Sequence, residues 1–408
     1  MKPRILFIDD EQQILDSLRL SLRNLRSEWD MTFVAEGREA LKLFEIKPYD
    51  VVITDLRMPE IDGATLLGEL RRKNPTTARI ILSGYSDHEA ALKNICLANE
   101  YLCKPCKTQD LTRAIHRALT LRELIENSKL KEVIAKIDNI PALPKSYIEL
   151  NEALLDSNVS IKRIGDIISK EMALVATILR IANSPFFGFQ SRISNINQAI
   201  TFLGIQTLRT IILSTHLFSS LKNSHNSSFS VNMLWNHSVR VTGFAKRIAE
   251  NEGINKSIRD DCIIAGMLHD IGKLVLNTKL QEESLQVIEK VKLEECQIYE
   301  AEIDVIGVTH AEIGAYLLGQ WGFTHEQMEA VRWHQIMKQE YGMDMTSPLI
   351  IHVANYFDHE LVQINSNHAT RRLNLAEQTL AGLDEKLINW RELCQSELAK
   401  NSHTSNDI

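Results

Sequence analysis

The stretch Ile5-Leu6-Phe7-Ile8-Asp9-Asp10-Glu11 decides the fold of the first part of the chain, because four apolar residues run directly into three acidic ones. Three more short, mainly apolar runs end on a polar residue: VVIT at 51–54 before Asp55, RIIL at 79–82 before Ser83, and YLC at 101–103 before Lys104. Short apolar runs that alternate with helical stretches are typical of buried strands in a parallel sheet. We therefore predict a doubly wound α/β domain at the N-terminus.

The polar residues that follow these runs predict a phosphoryl-transfer site. Ligands of such sheets collect beyond the carboxyl ends of the strands, so Asp9, Asp10, Asp55, Ser83 and Lys104 are expected to converge there. Three carboxylates within about 4 Å repel by roughly 4 kcal/mol per pair at an effective dielectric near 20, and they therefore favour a hard divalent cation such as Mg²⁺. The cation and the Lys104 ammonium would neutralise charge on a phosphoryl group arriving at Asp55, and the Ser83 hydroxyl would bond its oxygens.

This set of residues resembles the receiver domain of two-component response regulators. The resemblance covers about residues 1–120 and includes the DLRMP segment at 55–59 and the Lys104-Pro105 dipeptide. It implies a flavodoxin-like fold and a sensor histidine kinase as phosphoryl donor. It also implies a role for each matching residue: Asp55 as phosphoacceptor, Asp9 and Asp10 as Mg²⁺ ligands, Ser83 and Lys104 as phosphate contacts, and Tyr101 as a switch aromatic.

Composition sets limits on the class of protein. The chain has 408 residues, 44% hydrophobic and 24% charged, which is a normal globular balance for two or three domains. A net charge of −7 argues against a general nucleic-acid clamp, and six cysteines without a regular framework suggest a reducing compartment. The start of the chain resembles a strand more than a signal peptide, and no apolar run approaches membrane-spanning length. We expect a cytoplasmic protein without a membrane partner.

The segment from Thr108 to about Asp138 is predicted to be helical, and it contains neither proline nor glycine. It is either a last receiver helix followed by a separate linker helix, or one continuous helix of about thirty residues that pairs two chains into a homodimer. The predicted domains are a receiver at 1–120, a helical linker at 121–138, an all-α domain at 139–360, and C-terminal helices with a frayed tail at 361–408.

Histidines and one aspartate in the all-α region predict a second site. Its candidate metal ligands are His237, His269, Asp270, His310 and His334. Adjacent His and Asp residues on a helix are about 100° apart, so both could reach one ion at the helix edge. A histidine from a neighbouring helix would complete a mixed nitrogen and oxygen site for a divalent metal and its activated water.

The HDIG string at 269–272 is similar to that of the HD superfamily of metal-dependent phosphohydrolases. The surrounding sequence is more specific, and over about residues 138–360 it resembles the HD-related output domain, HDOD. The matching segments are Leu143-Pro144, LRIANSP at 179–185, AITFLG at 199–204 and WNHS at 235–238. The resemblance implies an all-α, HD-like output domain after the receiver.

Two positions depart from a working hydrolase. Asn355 stands where catalytic HD proteins use an aspartate, although Asp358 one turn later could substitute for it. Gln335 follows His334 where the cyclic di-GMP-cleaving HD-GYP class has a second histidine, and no Gly-Tyr-Pro follows. The alternative to a metal site is a helical interaction domain in which the histidines serve packing and hydrogen bonding.

Two functions therefore stay open at this stage. The leading hypothesis is a response regulator whose HDOD domain binds a downstream signalling protein, and whether the chain is also an enzyme is left open. The alternative is a phosphorylation-gated metal phosphohydrolase that acts on a cyclic dinucleotide such as cyclic di-GMP. A transcription factor is disfavoured, because Arg240 and Arg247 are interpreted as one solvated helix face and direct DNA binding is not expected.

Overall fold

The computed structural model describes residues 2–74, 77–83, 100–136, 144–154, 159–184, 193–220, 230–337, 344–362, 373, 375 and 377–404. The chain divides into two compact units. The first comprises residues 1–131 and 323–325, and the second comprises residues 132–322 and 326–408. No helix in these described ranges has the length and apolar character needed to span a bilayer.

The first unit is built on a five-stranded parallel sheet. Its strands are β1 (Arg4–Ile8), β2 (Asp30–Val34), β3 (Val51–Asp55), β4 (Ala78–Ser83) and β5 (Glu100–Cys103). The strand order is β2-β1-β3-β4-β5, with every neighbouring pair parallel. The predicted doubly wound α/β fold is confirmed. This order brings the carboxyl ends of β1 and β3 side by side, which is where the predicted acidic residues lie.

Helices cover both faces of this sheet. They are α1 (Gln12–Ser21), a 3₁₀ helix (Arg23–Ser27), α2 (Gly37–Ile46), α3 (Gly63–Lys73) and α4 (Thr108–Glu126). Alternate residues of β1 belong to different cores: Ile5 and Phe7 pack with Leu111 and Ile115, whereas Leu6 and Ile8 pack with residues that include Leu66 and Leu70. Both faces of the sheet are therefore buried, as the nearly continuous apolar strands require.

Residues 108–136 form two helices, so the structure does not show the single continuous helix. Helix α4 ends at Glu126, and α5 (Ser128–Lys136) begins after one extended residue, Asn127. The Asn127 side-chain oxygen accepts hydrogen bonds from the backbone N–H groups of Lys129 and Leu130, at 3.0 and 3.3 Å. An asparagine in extended conformation can cap a new helix in this way, which explains the break.

All regular structure among the described residues from 144 onward is α-helical, which confirms the predicted second fold class. The helices are α6 (Lys145–Ala153), α7 (Ile161–Ser169), α8 (Met172–Ala182), α9 (Ile196–Leu203), α10 (Ile205–Ser220), α11 (Val231–Asn251), α12 (Lys256–Leu268), α13 (Ile271–Lys279), α14 (Gln281–Glu294), α15 (Ile298–Val305), α16 (His310–Gln320), α17 (His325–Arg332), α18 (Ser347–Leu361) and α19 (Glu377–Thr404). Helix α11 packs against α12, α18 and α19, and α13 packs against α16. These helices carry or surround the predicted histidines. A stretch at 223–230 that is rich in serine and asparagine, and would be predicted as a loop, lies almost wholly outside the described residues.

Candidate functional sites

Four charged side chains meet at the carboxyl end of the sheet, where a phosphoacceptor site is predicted. Asp9 follows β1, Asp55 ends β3, and Lys104 follows β5. The Nζ of Lys104 lies 2.7 Å from Oδ2 of Asp9 and 3.0 Å from Oδ1 of Asp55, so one ammonium joins two strand ends. Asp10 adds a third carboxylate, and one oxygen from each of the three lies within 4.8 Å of the others.

The charges in this cluster fit a hard divalent cation. Burial raises the pKa of the Asp9 carboxyl above its ordinary value, although Lys104 donates a hydrogen bond to it. Burial opposes the Lys104 ammonium, but its hydrogen bonds to Asp9 and Asp55 outweigh this and raise its pKa. Asp9, Asp10 and Asp55 are the residues that would hold Mg²⁺, which prefers such oxygen donors and when bound supplies positive charge beside Asp55.

The helix after β3 begins with a residue whose role the sequence pattern does not reveal. A Cβ atom on Gly63 would overlap the backbone carbonyl oxygen of Asp55, so only glycine lets the start of α3 approach Asp55 this closely. The Gly63 N–H donates to the carbonyl of Leu56 at 2.9 Å, and the Asp62 side chain caps α3 by accepting from the Thr65 N–H at 2.7 Å. In a sequence, an aspartate followed by a glycine is an ordinary loop signal, so the pair does not reveal this close approach.

Two predicted receiver residues cannot be placed in the same way. Ser83 is the last residue of β4, and Tyr101 lies in β5 opposite Ile81. The side chains of both lie outside the described part of the chain. Their roles as phosphate contact and switch aromatic therefore stay predictions.

The second site brings all five predicted histidine and aspartate ligands together in the helical unit. His237 lies in α11, His310 begins α16, and His334 lies just after α17. The ligand atoms form two groups that share Asp270: His237, His269 and Asp270 in one, and Asp270, His310 and His334 in the other. Each of the five side chains is at most 3% exposed. The sequence predicts the five residues but not their division into two groups.

The expectation that His269 and Asp270 lie within one helix is wrong. His269 is the C-cap of α12 and Asp270 is the N-cap of α13, so the pair forms the junction between two helices. Asp270 departs from helical geometry with φ −100° and ψ 10°, as cap residues do. The junction turns both side chains into the core instead of towards one helix edge.

Two glycines that flank this junction allow the helices to approach. A Cβ on Gly266 would overlap Thr242 of α11, and a Cβ on Gly272 would overlap the carbonyl oxygen of His310. The first close approach sets His269 beside the helix that carries His237, and the second sets Asp270 beside His310. The last residue of the HDIG string is therefore required by packing.

Each histidine has a hydrogen-bond partner on its outward nitrogen, Nδ1. For His269 and His334 the partners are the backbone carbonyl oxygens of Gly266 and Val331, at 2.8 and 2.7 Å. For the other two histidines the partners are carboxylates, as described next. Such outer partners fix the tautomer and the ring orientation of metal-binding histidines.

Carboxylates lie against the remaining two histidines. From the sequence, Glu302 was not predicted at all, and Asp358 was predicted as a possible metal ligand. Nδ1 of His237 lies 2.6 Å from Oδ2 of Asp358, and Nδ1 of His310 lies 2.7 Å from Oε1 of Glu302. The guanidinium of Arg240 donates to both oxygens of Asp358, at 2.6 and 2.9 Å. The interpretation of Arg240 as a solvated residue is therefore wrong. Its spacing of three from His237 is the signal that could have placed it on the same face.

Burial lowers the pKa of two of the histidines, whereas at His310 the Glu302 carboxylate outweighs burial and raises the pKa. Burial lowers the pKa of His237 to about 4, although Asp358 opposes this, and lowers the pKa of His334 well below its ordinary value. The pKa of Asp270 is also well below normal, because the nearby Lys273 ammonium and the histidines outweigh burial. His237 and His334 are thus neutral at pH 7, beside an ionised Asp270.

The donor set fits a divalent metal. Four imidazole nitrogens and one carboxylate converge in a closed space, which is the mixture that first-row transition metals accept. Asn355, one turn before Asp358 on α18, has a buried side-chain oxygen without a hydrogen-bond partner among the described residues. A metal bound by these histidines and Asp270 would act as a Lewis acid.

Comparison with known proteins agrees with both halves of this description. Residues 5–116 match the family model of the response regulator receiver domain, and residues 140–337 match that of the HDOD domain. The chain therefore carries a response-regulator receiver domain followed by an HDOD domain, and this combination is the architecture of a response regulator.

Individual relatives cover parts of the chain. An uncharacterized protein of Treponema pallidum (strain Nichols) is 28% identical over 246 residues, which are 59% of this chain and 47% of the relative. Regulatory protein AtoC of Escherichia coli (strain K12) is 36% identical over 123 residues, which are 30% of this chain and 26% of AtoC. The chain thus spans about half or less of these curated relatives. A crystal structure of an HDOD domain protein with unknown function from Geobacter sulfurreducens is 23% identical, with a TM-score of 0.49, and covers 65% of this chain and 96% of that one.

Proposed function

We propose that phosphorylation of Asp55 controls an HDOD output domain that signals by binding a downstream protein. The phosphorylation of Asp55 is supported by the position of the Lys104 ammonium, which bridges Asp9 and Asp55 at the carboxyl end of the sheet. A phosphoryl group on Asp55 would compete with Asp9 for this ammonium. The phosphoryl donor would be a sensor histidine kinase, and a homodimer through the 108–138 segment stays a prediction.

Labelling of Asp55 tests the first half. The full chain with Mg²⁺ and acetyl phosphate should gain one phosphoryl group, seen by intact mass or a phosphate-affinity gel. Asp55→Asn should lose at least about tenfold of this labelling, because an amide oxygen is a poor nucleophile. Asp62→Asn is the matched control, since Asp62 is exposed and lies outside the acidic cluster. Labelling that survives in Asp55→Asn would contradict the assignment.

The buried state of the histidine cluster supports output by contact. A hydrolase must bring a scissile phosphate to its metal, yet the five candidate ligands are almost completely buried. However, the same five residues lie close enough together to bind a metal ion. This observation favours a second candidate function, a metal phosphohydrolase gated by Asp55.

Turnover separates the two candidates. Cyclic di-GMP incubated with the metal-loaded full chain, with and without acetyl phosphate, should remain intact by chromatography. Hydrolysis at an ordinary enzymatic rate of about 1 s⁻¹ or more would instead support the second candidate, provided that Asp270→Ala abolishes it. Gln335, beside the cluster in sequence but outside both ligand groups, offers the control Gln335→Ala.

A further inference from the structure

We infer that the C-terminal helix α19 is a releasable strap, and that its release opens the route by which water and small solutes reach the histidine cluster. Such a strap reconciles the almost complete burial of the cluster with access to it. It stands apart from the choice between contact and hydrolysis, because release can be measured without a partner or a substrate.

A single stripe of side chains attaches α19 to the helices beneath it. Among the side chains of α19 that the structure describes, four are at most 2% exposed: Leu383, Trp390, Cys394 and Glu397. Their spacings of seven, four and three residues place them on one face of the helix. The helix packs against α11 and α18. An element attached by one narrow stripe can open locally while the rest of its unit stays folded.

Two ion pairs fasten α19 to the same two helices. The Lys386 ammonium lies 2.6 Å from the carboxylate of Glu252 at the end of α11, and Nε of Arg391 lies 2.6 Å from that of Glu360 in α18. The two cationic side chains are 44% and 45% exposed. Ion pairs with so much contact with water are weak, and dissolved salt screens them. We therefore expect salt to loosen the strap.

The part of α18 beneath α19 carries Asp358, the outer partner of His237. Asp358 is completely buried. Burial, together with the nearby Asp358 carboxylate, raises the pKa of the Cys394 thiol, so this cysteine of α19 lies close to Asp358. The same carboxylate lies 2.6 Å from Nδ1 of His237. Release of α19 would thus uncover Asp358 and, behind it, the His237 side of the cluster.

The opposite side of the cluster is held differently. His310 has its outer partner, Glu302, in α15, where Oε1 lies 2.7 Å from Nδ1 of the histidine. The outer partner of His237 instead lies in α18, one of the two helices against which α19 packs. Release of α19 should therefore affect His237 more than His310.

The reactivity of Cys394 in the full chain measures release of α19. Alkylation by iodoacetamide followed by peptide mass spectrometry gives a rate for each thiol, and Cys262 is the reference because it is buried in α12. From about 0.1 to about 1 M NaCl the Debye length falls from about 10 to about 3 Å, so we expect Cys394 to react at least about fivefold faster and Cys262 less than about twofold faster. The double variant Lys386→Gln/Arg391→Gln should show the fast rate already at low salt. Glu392→Gln is the matched control, since Glu392 is an exposed charge on the same helix.

The salt series on the unaltered chain guards against variants that fail to fold. Equal rates for Cys394 and Cys262 at every salt concentration would overturn the proposal, because both thiols would then react only through global unfolding. A Cys394 rate that responds neither to salt nor to loss of the two ion pairs would also contradict it.

Hydrogen exchange at the C2 carbon of the imidazole rings tests whether release opens the cluster, because this exchange requires contact with water. In the double variant His237 should exchange at least about twofold faster than in the unaltered chain, whereas His310 should not change. Faster labelling of Cys394 without faster exchange at His237 would overturn the access route. Neither measurement involves acetyl phosphate or a cyclic dinucleotide, so a failure here is distinguishable from a failure of the proposed function.

Discussion

Gly63 shows how much of the phosphoacceptor site rests on a residue that has no side chain. It begins α3 directly against the backbone of Asp55, where an added Cβ would overlap a carbonyl oxygen that cannot move without its strand. Asp55 is thus held from two sides: the ammonium of Lys104 contacts its side chain, and the start of α3 closely approaches its backbone.

We expect Gly63→Ala to destabilise the receiver by about 1–3 kcal/mol, the usual cost of forcing a methyl group into a packed site. Gly68→Ala is the matched control in the same helix, since a Cβ there meets no atom within 4 Å. That change should stabilise by up to about 1 kcal/mol, because alanine favours helix over glycine. Chemical unfolding followed by circular dichroism measures both. Equal effects of the two substitutions would show that the close approach does not matter.

At the scale of elements, the long helix α19 is anchored on α11, the helix that carries His237. Trp390 is completely buried, and its Nε1 donates to the carboxylate of Glu252, the C-cap of α11, at 2.9 Å. The ammonium of Lys386, one turn earlier, donates to the same carboxylate at 2.6 Å. The C-terminal helix thus helps to hold one wall of the histidine cluster.

Trp390→Ala should therefore lower the free energy of unfolding of the helical unit by about 3–5 kcal/mol, the usual cost of deleting a buried tryptophan side chain. Ile388→Ala on the same helix is the control, because Ile388 is 64% exposed and should change stability by no more than about 0.5 kcal/mol. Thermal unfolding of the full chain compares them. A similar loss in both variants would show that α19 contributes only its helical propensity.

The boundaries of the helices were predicted least well from the sequence. The apolar stripe from Leu111 to Val133 continues past Asn127, so periodicity alone cannot tell one helix from two. The break depends on a cap formed by a single side chain. The junction at His269 and Asp270 is similar, because nothing in the apolar pattern marks it. Strand ends were easier, since each apolar run stops at the polar residue that matters.

At the scale of the whole molecule, the two sites differ in how far the sequence predicts them. The residues of the receiver site lie at the ends of parallel strands of one sheet, and the βα alternation of the sequence predicts that sheet. The proximity of the acidic residues to Lys104 could therefore be predicted. The histidine cluster joins residues from 237 to 358 through helix packing. The partnership of Glu302 with His310 could not be predicted, because no periodic pattern relates a carboxylate in α15 to a histidine that starts α16. Asp358 was expected only as a substitute metal ligand, and not as the partner of His237.

The close approach at Gly272 has a consequence for how related sequences are compared. If the glycine is needed to let two helices touch, a chain that had lost all four imidazoles would still be under pressure to keep it. The presence of an HDIG string then indicates a close contact between two helices, and it is only indirect evidence of a metal site. The convergence of four imidazoles on Asp270 is a more direct marker of metal chemistry than the string itself.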